Sequence, residues 1–360
     1  MTRVGLTMIV KDEAHVIERC LRSVVPLIDW WVVVDTGSTD GTQEVVRRVL
    51  GELPGEVVER PWVDFGHNRQ EALDLARTSA YAGEDDYAVW IDADEHFTDV
   101  PIDGLGGLDA DGYFLPVTYA GTHYARLALV RLASGWRWTG AIHEYLTLDP
   151  ARTAHLPAPG VWVEHTGARS LDPDTYRKDA ALIRAQLAKD PTDARMQFYL
   201  GQSLRDAGDL VESLAAYAVR VDNPHGWDQE RWFALLQMAL LAERLGHPAG
   251  EVVDAYLRAY DACPWRAETL VELARVERSR ERYHAAVLFA RQATTLPRPA
   301  SDALFVEEGA YTWRCWDELA ISCYWTGQYA EGAAAAQRAL DVHPDDERLR
   351  ANLAWCQGQL

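Results

Sequence analysis

Basic residues are scarce in this chain of 360: 35 lysines and arginines stand against 55 aspartates and glutamates, a formal net charge of −20. Such a surface repels phosphate backbones, which argues against DNA, RNA and anionic membranes as bulk partners while leaving room for a local basic groove. Cysteine is scarce too. Cys20, Cys263, Cys315, Cys323 and Cys356 form no C-x-x-C pair and are odd in number, so they read as the reduced, buried thiols of a cytosolic protein. No apolar run approaches the ~18 residues that a membrane span needs. The apolar residues 4–10 run straight into Lys11-Asp12-Glu13 with no small-residue cleavage site, which reads as a first strand and not a signal peptide. A soluble, cytoplasmic protein without membrane insertion is the expectation. The remaining composition, 48% hydrophobic and 25% charged, is that of an ordinary globular protein long enough for two domains with sizeable cores.

The first half alternates strand and helix patterns. Residues 4–10 are a short apolar run, and residues 13–25 place Val16, Ile17, Cys20, Leu21 and Val24 at helical spacing. Residues 30–34 read as a buried strand, followed by the turn Asp35-Thr36-Gly37-Ser38-Thr39-Asp40-Gly41-Thr42 and a helix over about 43–50. A third strand at 57–60, a helical pattern at 65–76 and a fourth strand at 87–91 follow. That alternation implies a mainly parallel sheet, whose ligands bind beyond the carboxyl ends of the strands. Asp35 and Asp92 each stand at such an end.

The segment Asp92-Ala93-Asp94-Glu95 carries the most chemistry. Two carboxylates at i and i+2 leaving a strand point to one side. Hard oxygen ligands at that spacing suit Mg²⁺ or Mn²⁺, which can grip a diphosphate. Three acids in four positions are also an ordinary solvated strand end, so the company of the segment decides.

Taken together, Met8-Ile9-Val10-Lys11-Asp12-Glu13, Val33-Val34-Asp35-Thr36-Gly37-Ser38-Thr39-Asp40-Gly41-Thr42 and Ile91-Asp92-Ala93-Asp94-Glu95 resemble the inverting family-2 glycosyltransferases of GT-A fold. The closer likeness is to a bacterial subgroup with a C-terminal tetratricopeptide array, some of whose members glycosylate peptides. That subgroup often carries segments like Phe65-Gly66-His67-Asn68-Arg69 and Gly140-Ala141-Ile142-His143-Glu144. The resemblance implies a metal-dependent transfer of a hexose from a nucleotide sugar, with UDP favoured because the family mostly uses it. It assigns Asp35 to the nucleoside, although Thr36 stands where many members carry a second aspartate. Glu13 falls near the nucleotide; as a residue of a helix's first turn it equally suits the helix dipole. Arg69 is assigned to the donor phosphates or sugar, against the alternative of a surface salt bridge. Asp94 is the expected metal ligand, with Asp92 on the ribose or on the metal through water, and Glu95 behind them. The metal, Mn²⁺ or Mg²⁺, would neutralise the departing diphosphate. An inverting transfer needs a base on the acceptor side, and Glu144 or His143 fits, Glu144 being favoured, with Trp136 and Trp138 expected to stack on a sugar or acceptor face. His165, after the apolar run 161–163, is a further candidate for the metal or diphosphate, against a satisfied histidine at a domain boundary.

After about residue 170 strand-like runs stop. Trp316, Leu319, Ala320, Cys323, Gly327, Tyr329, Gly332, Ala336, Ala339 and Pro344 fall close to the tetratricopeptide template. Weaker copies run through Leu200-Gly201, Leu204, Gly208 and Tyr217, through Gly246, Tyr256, Ala259 and Pro264, and through Tyr283, Ala286, Ala290, Ala293 and Pro297. The uneven prolines predict an insertion in at least one of four repeats, and residues 348–356 predict a terminal cap helix. The expected plan is a GT-A α/β domain over 1–170 followed by an all-α tetratricopeptide-type solenoid over 171–360. Trp227, Trp232, Trp265, Trp313, Trp316 and Trp325 are expected mostly to pack between helices. The array would recruit a peptide or protein acceptor, or pair with its copy as a homodimer; a small-molecule acceptor also fits. The rival reading is a repeat-based binding scaffold with an inactive transferase domain, and retention of both the acidic and the base segments argues against it. A nucleotidyltransferase would need a glycine-rich basic loop, where residues 5–15 offer Lys11 among acids and histidine.

Overall fold

The computed structural model describes residues 3–101, 104–119, 122–164, 166–299 and 303–360. The chain divides into two compact units, Met1–Lys189 and Asp190–Leu360.

The first unit runs β1 (Val4–Val10), α1 (Ile17–Val24), β2 (Trp30–Asp35), α2 (Thr42–Leu50), β3 (Gly55–Glu59), α3 (Phe65–Thr78) and β4 (Tyr87–Trp90). Then come β5 (Glu95–Thr98), β6 (Gly112–Tyr119), β7 (Thr122–Arg131), β8 (Arg137–Thr139), β9 (Tyr145–Thr147), β10 (Thr153–His155), β11 (Gly160–Val163) and α4 (Thr175–Leu187). Nine strands form one sheet in the order β3-β2-β1-β4-β7-β6-β11-β5, with β10 also on β6; β8 and β9 form a separate ribbon. The pairs among β3, β2, β1 and β4 are parallel, as the strand–helix alternation predicts. Beyond β4 the sheet becomes mixed: β4–β7, β6–β7 and β11–β5 are antiparallel. The reason is the connections, because β6 and β7 follow each other too closely for the helical crossover that a parallel pair requires.

Every residue of β2 is buried, as a strand covered on both faces must be. On one face Ile17, Cys20 and Leu21 of α1 and Val46 and Leu50 of α2 join Leu6 and Met8 of β1 in one core. On the other, Leu73 and Ala76 of α3 pack with Trp30, Val32, Trp136 and Leu146. The units part after Lys189, not at residue 170, because α4 is tied to the sheet domain. Its Asp179 pairs with Arg169, and its Gln186 Oε1 accepts the Ala141 amide at 3.1 Å.

The second unit is helical: α5 (Ala194–Asp206), α6 (Leu210–Asp222), α7 (Asp228–Arg244), α8 (Ala249–Ala262), α9 (Ala267–Ser279), α10 (Tyr283–Ala293), α11 (Glu308–Thr312), α12 (Arg314–Trp325), α13 (Tyr329–Val342) and α14 (Glu347–Gln357). Four antiparallel pairs, α5–α6, α7–α8, α9–α10 and α12–α13, are closed alike. The amides of Asp209, His247, Arg282 and Gln328 each reach back 2.9 Å to a carbonyl five residues earlier, the Schellman turn. The residue before each has positive φ: Gly208, Gly246 and Gly327 in three turns, Glu281 (φ 59°) in the other. The insertion lies between α10 and α12 and contains α11. Buried Arg266 donates to the carbonyls of Leu304 and Phe305 and forks onto Glu268, which accepts the Tyr311 hydroxyl at 2.6 Å. α14 closes the array, with Asp346 capping its first amides. The tryptophans depart from expectation. Of the six, only Trp232 is fully buried, Trp313 and Trp316 are half-buried, and Trp227, Trp265 and Trp325 are exposed.

Candidate functional site

Two loops at the carboxyl ends of β1 and β2 are stitched together by side chains. The Asp12 amide donates to Ser38 Oγ, the Glu13 amide to Thr42 Oγ1 and the Ala14 amide to Asp40 Oδ2, all at 2.8–2.9 Å. Asp12 Oδ1 in return accepts the Thr39 amide at 2.7 Å. Asp40 and Thr39 thus serve the turn, and Asp35 serves it with only one of its two oxygens. It is 1% exposed; Oδ1 accepts the amides of Gly37 and Ser38, while Oδ2 is buried with no partner. A buried carboxylate oxygen left so is costly unless a donor arrives. It faces a cleft of about 400 Å³ lined also by Gln43, Glu59 and Arg60. Thr36, where a second aspartate was missed in the sequence, turns its hydroxyl to the Val10 carbonyl.

The acidic segment is not a strand end. β4 stops at Trp90 and Asp92 to Asp94 form a turn, closed by the Glu95 amide on the Asp92 carbonyl and the Asp92 amide on Glu95 Oε2, both 3.1 Å. The two aspartates therefore do not share one side by strand alternation; each has its own partner. Asp92 takes Arg69 Nη2 at 2.5 Å, and Asp94 Oδ2 takes the Gly167 amide at 3.1 Å. Burial pushes the Asp92 carboxyl up, but the Arg69 guanidinium outweighs it and holds the group below the usual carboxylate range.

Glu13 lies in the turn ahead of α1, not in its first helical turn, so the helix-dipole role falls away. Its carboxylate accepts the Ala168 amide at 3.1 Å. Burial, countered by that amide and reinforced by Asp94 and Asp92, pushes it up to about 7. A side chain at Gly167 would stand 3.2 Å from Asp94 Oδ2 and from both oxygens of Glu13, so the two carboxylates meet over this glycine.

Arg69 is no surface salt bridge. It is 7% exposed on α3 and spans two carboxylates, Asp92 and Glu144, its Nε reaching Glu144 Oε1 at 2.5 Å. Its neighbour Asn68 is structural, bonding Val63 and Pro61 of the preceding loop. Glu144 and His143 sit at the tip of the β8–β9 ribbon, where Gly140 (φ 97°) and His143 (φ 50°) turn the chain. α3 presses on that tip: the Phe65 amide donates to the Ala141 carbonyl at 3.0 Å, and a Cβ on Gly66 would lie 2.1 Å from the Gly140 oxygen. Trp138 packs edge-on to Trp90 and under Arg69. Trp136 is buried and donates to the Asp111 carbonyl, so it cannot stack on a sugar. His165 lies outside the described residues.

Arg126 escaped the sequence reading. From β7 it forks onto Glu95 at 2.6–2.7 Å and lies 4.2 Å from the centre of the Trp90 ring. An arginine between Ala125 and Leu127 within a largely apolar strand was the available signal. The amides of Gly167 and Ala168 leave no such trace, since any residue but proline supplies one.

Among the described residues, no three His, Cys, Asp or Glu side chains form a group that would hold an ion unaided. The donor set nevertheless fits a hard cation, since Asp94 and Glu13 offer two carboxylates at one point.

Residues 6–100 match the family model described as Glycosyl transferase family 2. A TPR repeat-containing protein of Synechococcus elongatus is 35% identical over 96 residues, covering 26% of this chain and 21% of that protein. The chain thus spans about a fifth of the curated relative it matches. Among solved structures, a tetratricopeptide repeat protein from Parabacteroides merdae aligns at TM-score 0.40 and 18% identity, over 52% of this chain and 68% of that one. MamA aligns at 0.38 and 15%, over 46% and 88%. Scores this low carry no argument, and the repeat architecture rests on the helix pairs themselves. The Glycosyl transferase family 2 match therefore falls on residues 6–100 of the sheet domain, and the paired helices follow it in the chain. No helix among the described residues is long and apolar enough to cross a membrane.

Proposed function

We propose that the protein is an inverting hexosyltransferase using a nucleotide sugar, with UDP as the favoured nucleotide and a peptide, protein or small molecule as acceptor. One observation carries the reading: a single buried guanidinium, Arg69, joins the donor-side carboxylate Asp92 to Glu144 on the ribbon tip. Donor and base groups are thereby held at one place by a single side chain. Asp35 Oδ2 would accept from the nucleoside, whose imide or ribose hydroxyl supplies the missing donor. Asp94, with Glu13, would hold Mn²⁺ or Mg²⁺, and that ion when bound supplies charge neutralisation for the diphosphate. The acceptor oxygen or other nucleophile forms its bond to the sugar's anomeric carbon as the bond to the diphosphate oxygen breaks. Glu144 takes the acceptor proton, and Arg69 fixes the direction in which it faces. His143 is the second candidate for that proton.

Calorimetric titration of a panel of nucleotide sugars with Mn²⁺, Mg²⁺ and EDTA tests the reading. One donor is expected to bind in a metal-dependent manner; Asp94→Ala should lose the metal dependence. Glu144→Gln should bind donor within about threefold of wild type and lose transfer by 10²–10⁴, the range of general-base catalysis. Unchanged transfer in Glu144→Gln would move the base to His143. Binding of no donor under any condition favours the scaffold alternative.

A further inference from the structure

Arg69 holds the Asp92 side chain, and Glu95 closes the backbone of the acidic turn. β7 runs antiparallel to β4 with Tyr87 opposite Arg131 and Val89 opposite Leu129. β4 ends at Trp90, and β7 reaches back to Arg126 through an irregularity in its pairing with β6 between Leu129 and Leu127. There Arg126 Nη1 and Nη2 bond Glu95 Oε1 and Oε2 at 2.7 and 2.6 Å, a fork-on-fork pair that fixes orientation as well as distance. Glu95 is 3% exposed, and its Oε2 also accepts the Asp92 amide. The path is continuous: sheet, guanidinium, carboxylate, turn amide. The same indole, Trp90, carries Arg126 at 4.2 Å and Arg69 at 4.6 Å, so two arginines from different elements converge on one turn.

We infer that Arg126 is a positioning residue: through Glu95 it sets where Asp92 and Asp94 stand for the donor. The inference rests on the donor-site reading above. Arg126 touches no reacting group; its role is to replace the hydrogen-bonding freedom of a four-residue turn with a fixed frame anchored in the sheet. A lysine keeps the charge but cannot form both bonds at once. A purely structural ion pair would give a different outcome, since its loss would loosen the protein without weakening donor binding in the variants that stay folded.

The test uses the full chain as Arg126→Lys, with Arg131→Lys on the same strand as control. The double variant Arg126→Met, Glu95→Leu guards against an orphaned charge that unfolds the protein. Two quantities are read: amide exchange across residues 91–98 by mass spectrometry, and affinity for UDP in Mn²⁺. The expected result is exchange at least tenfold faster in that segment alone and UDP affinity at least tenfold weaker, with Arg131→Lys like wild type. Folded Arg126 variants with wild-type exchange and wild-type affinity overturn the inference, as does exchange that rises equally throughout the sheet. Should wild type bind no UDP, the donor reading fails on its own. Exchange in the segment then decides for or against Arg126.

Discussion

Glu13 shows how much a single group reports about its surroundings. Its carboxyl is pushed up to about 7, first by burial and then by Asp94 and Asp92 nearby. A raised carboxyl binds its proton more tightly in the folded chain, so its contribution to stability is full below the ordinary value of 4.5 and is lost as pH climbs through 7. In EDTA, Glu13→Gln should therefore melt progressively above wild type as pH moves from 5 to 8. Melting curves across that range check it; a constant offset would show that Glu13 is not the titrating group. Asp35, Asp92, Asp94, Arg69 and Glu144 could be singled out in the sequence as candidates because their chemistry is written in side chains. What they bond to could not be read there. The split of Asp92 and Asp94 between Arg69 and a backbone amide depends on a turn, and strand alternation was the wrong geometry for it.

At the scale of elements, periodicity did most of the work. The i, i+3, i+4 spacing of Ile17, Cys20 and Leu21 gives α1 its buried face, and the spacing of large and small residues gave the paired helices. Connections were harder to read, because whether a strand returns by a hairpin or a helix depends on segments with no period. Two turns invite tests. Glu281 occupies a left-handed position that glycine fills in the other three repeats, at a cost of roughly 1–2 kcal/mol for a side chain. Glu281→Gly should raise the melting temperature of the helical unit by about 2–4 °C, measurable by circular dichroism. Gly66 has the opposite constraint: a methyl there meets the Gly140 carbonyl at 2.1 Å. Gly66→Ala should displace the ribbon tip, cost about 1–3 kcal/mol as overpacking does, and depress transfer at least as far as Glu144→Gln. An unshifted melting temperature with full transfer would show the tip to be freely mobile against α3.

For the whole molecule, each unit has its own core, so residues 190–360 expressed alone should fold. Their helical spectrum and a cooperative melt would show it, and a chain without a melting transition would refute it. The compact units divide after Lys189, which places α4 with the sheet, although α4 reads in the sequence as another repeat helix. Its bonds to Ala141 and Arg169 reveal its allegiance. The five cysteines are all buried. Burial pushes the Cys263 and Cys315 thiols up to about 11 and Cys323 to about 12, and raises Cys20 and Cys356 as well. Alkylating reagents attack thiolates within reach, and the native chain offers almost none. A cysteine engineered at an exposed site such as Trp325 or Trp355 would therefore be the first to take a dye. The protein comes ready for single-site fluorescence without first being stripped of its own sulfur.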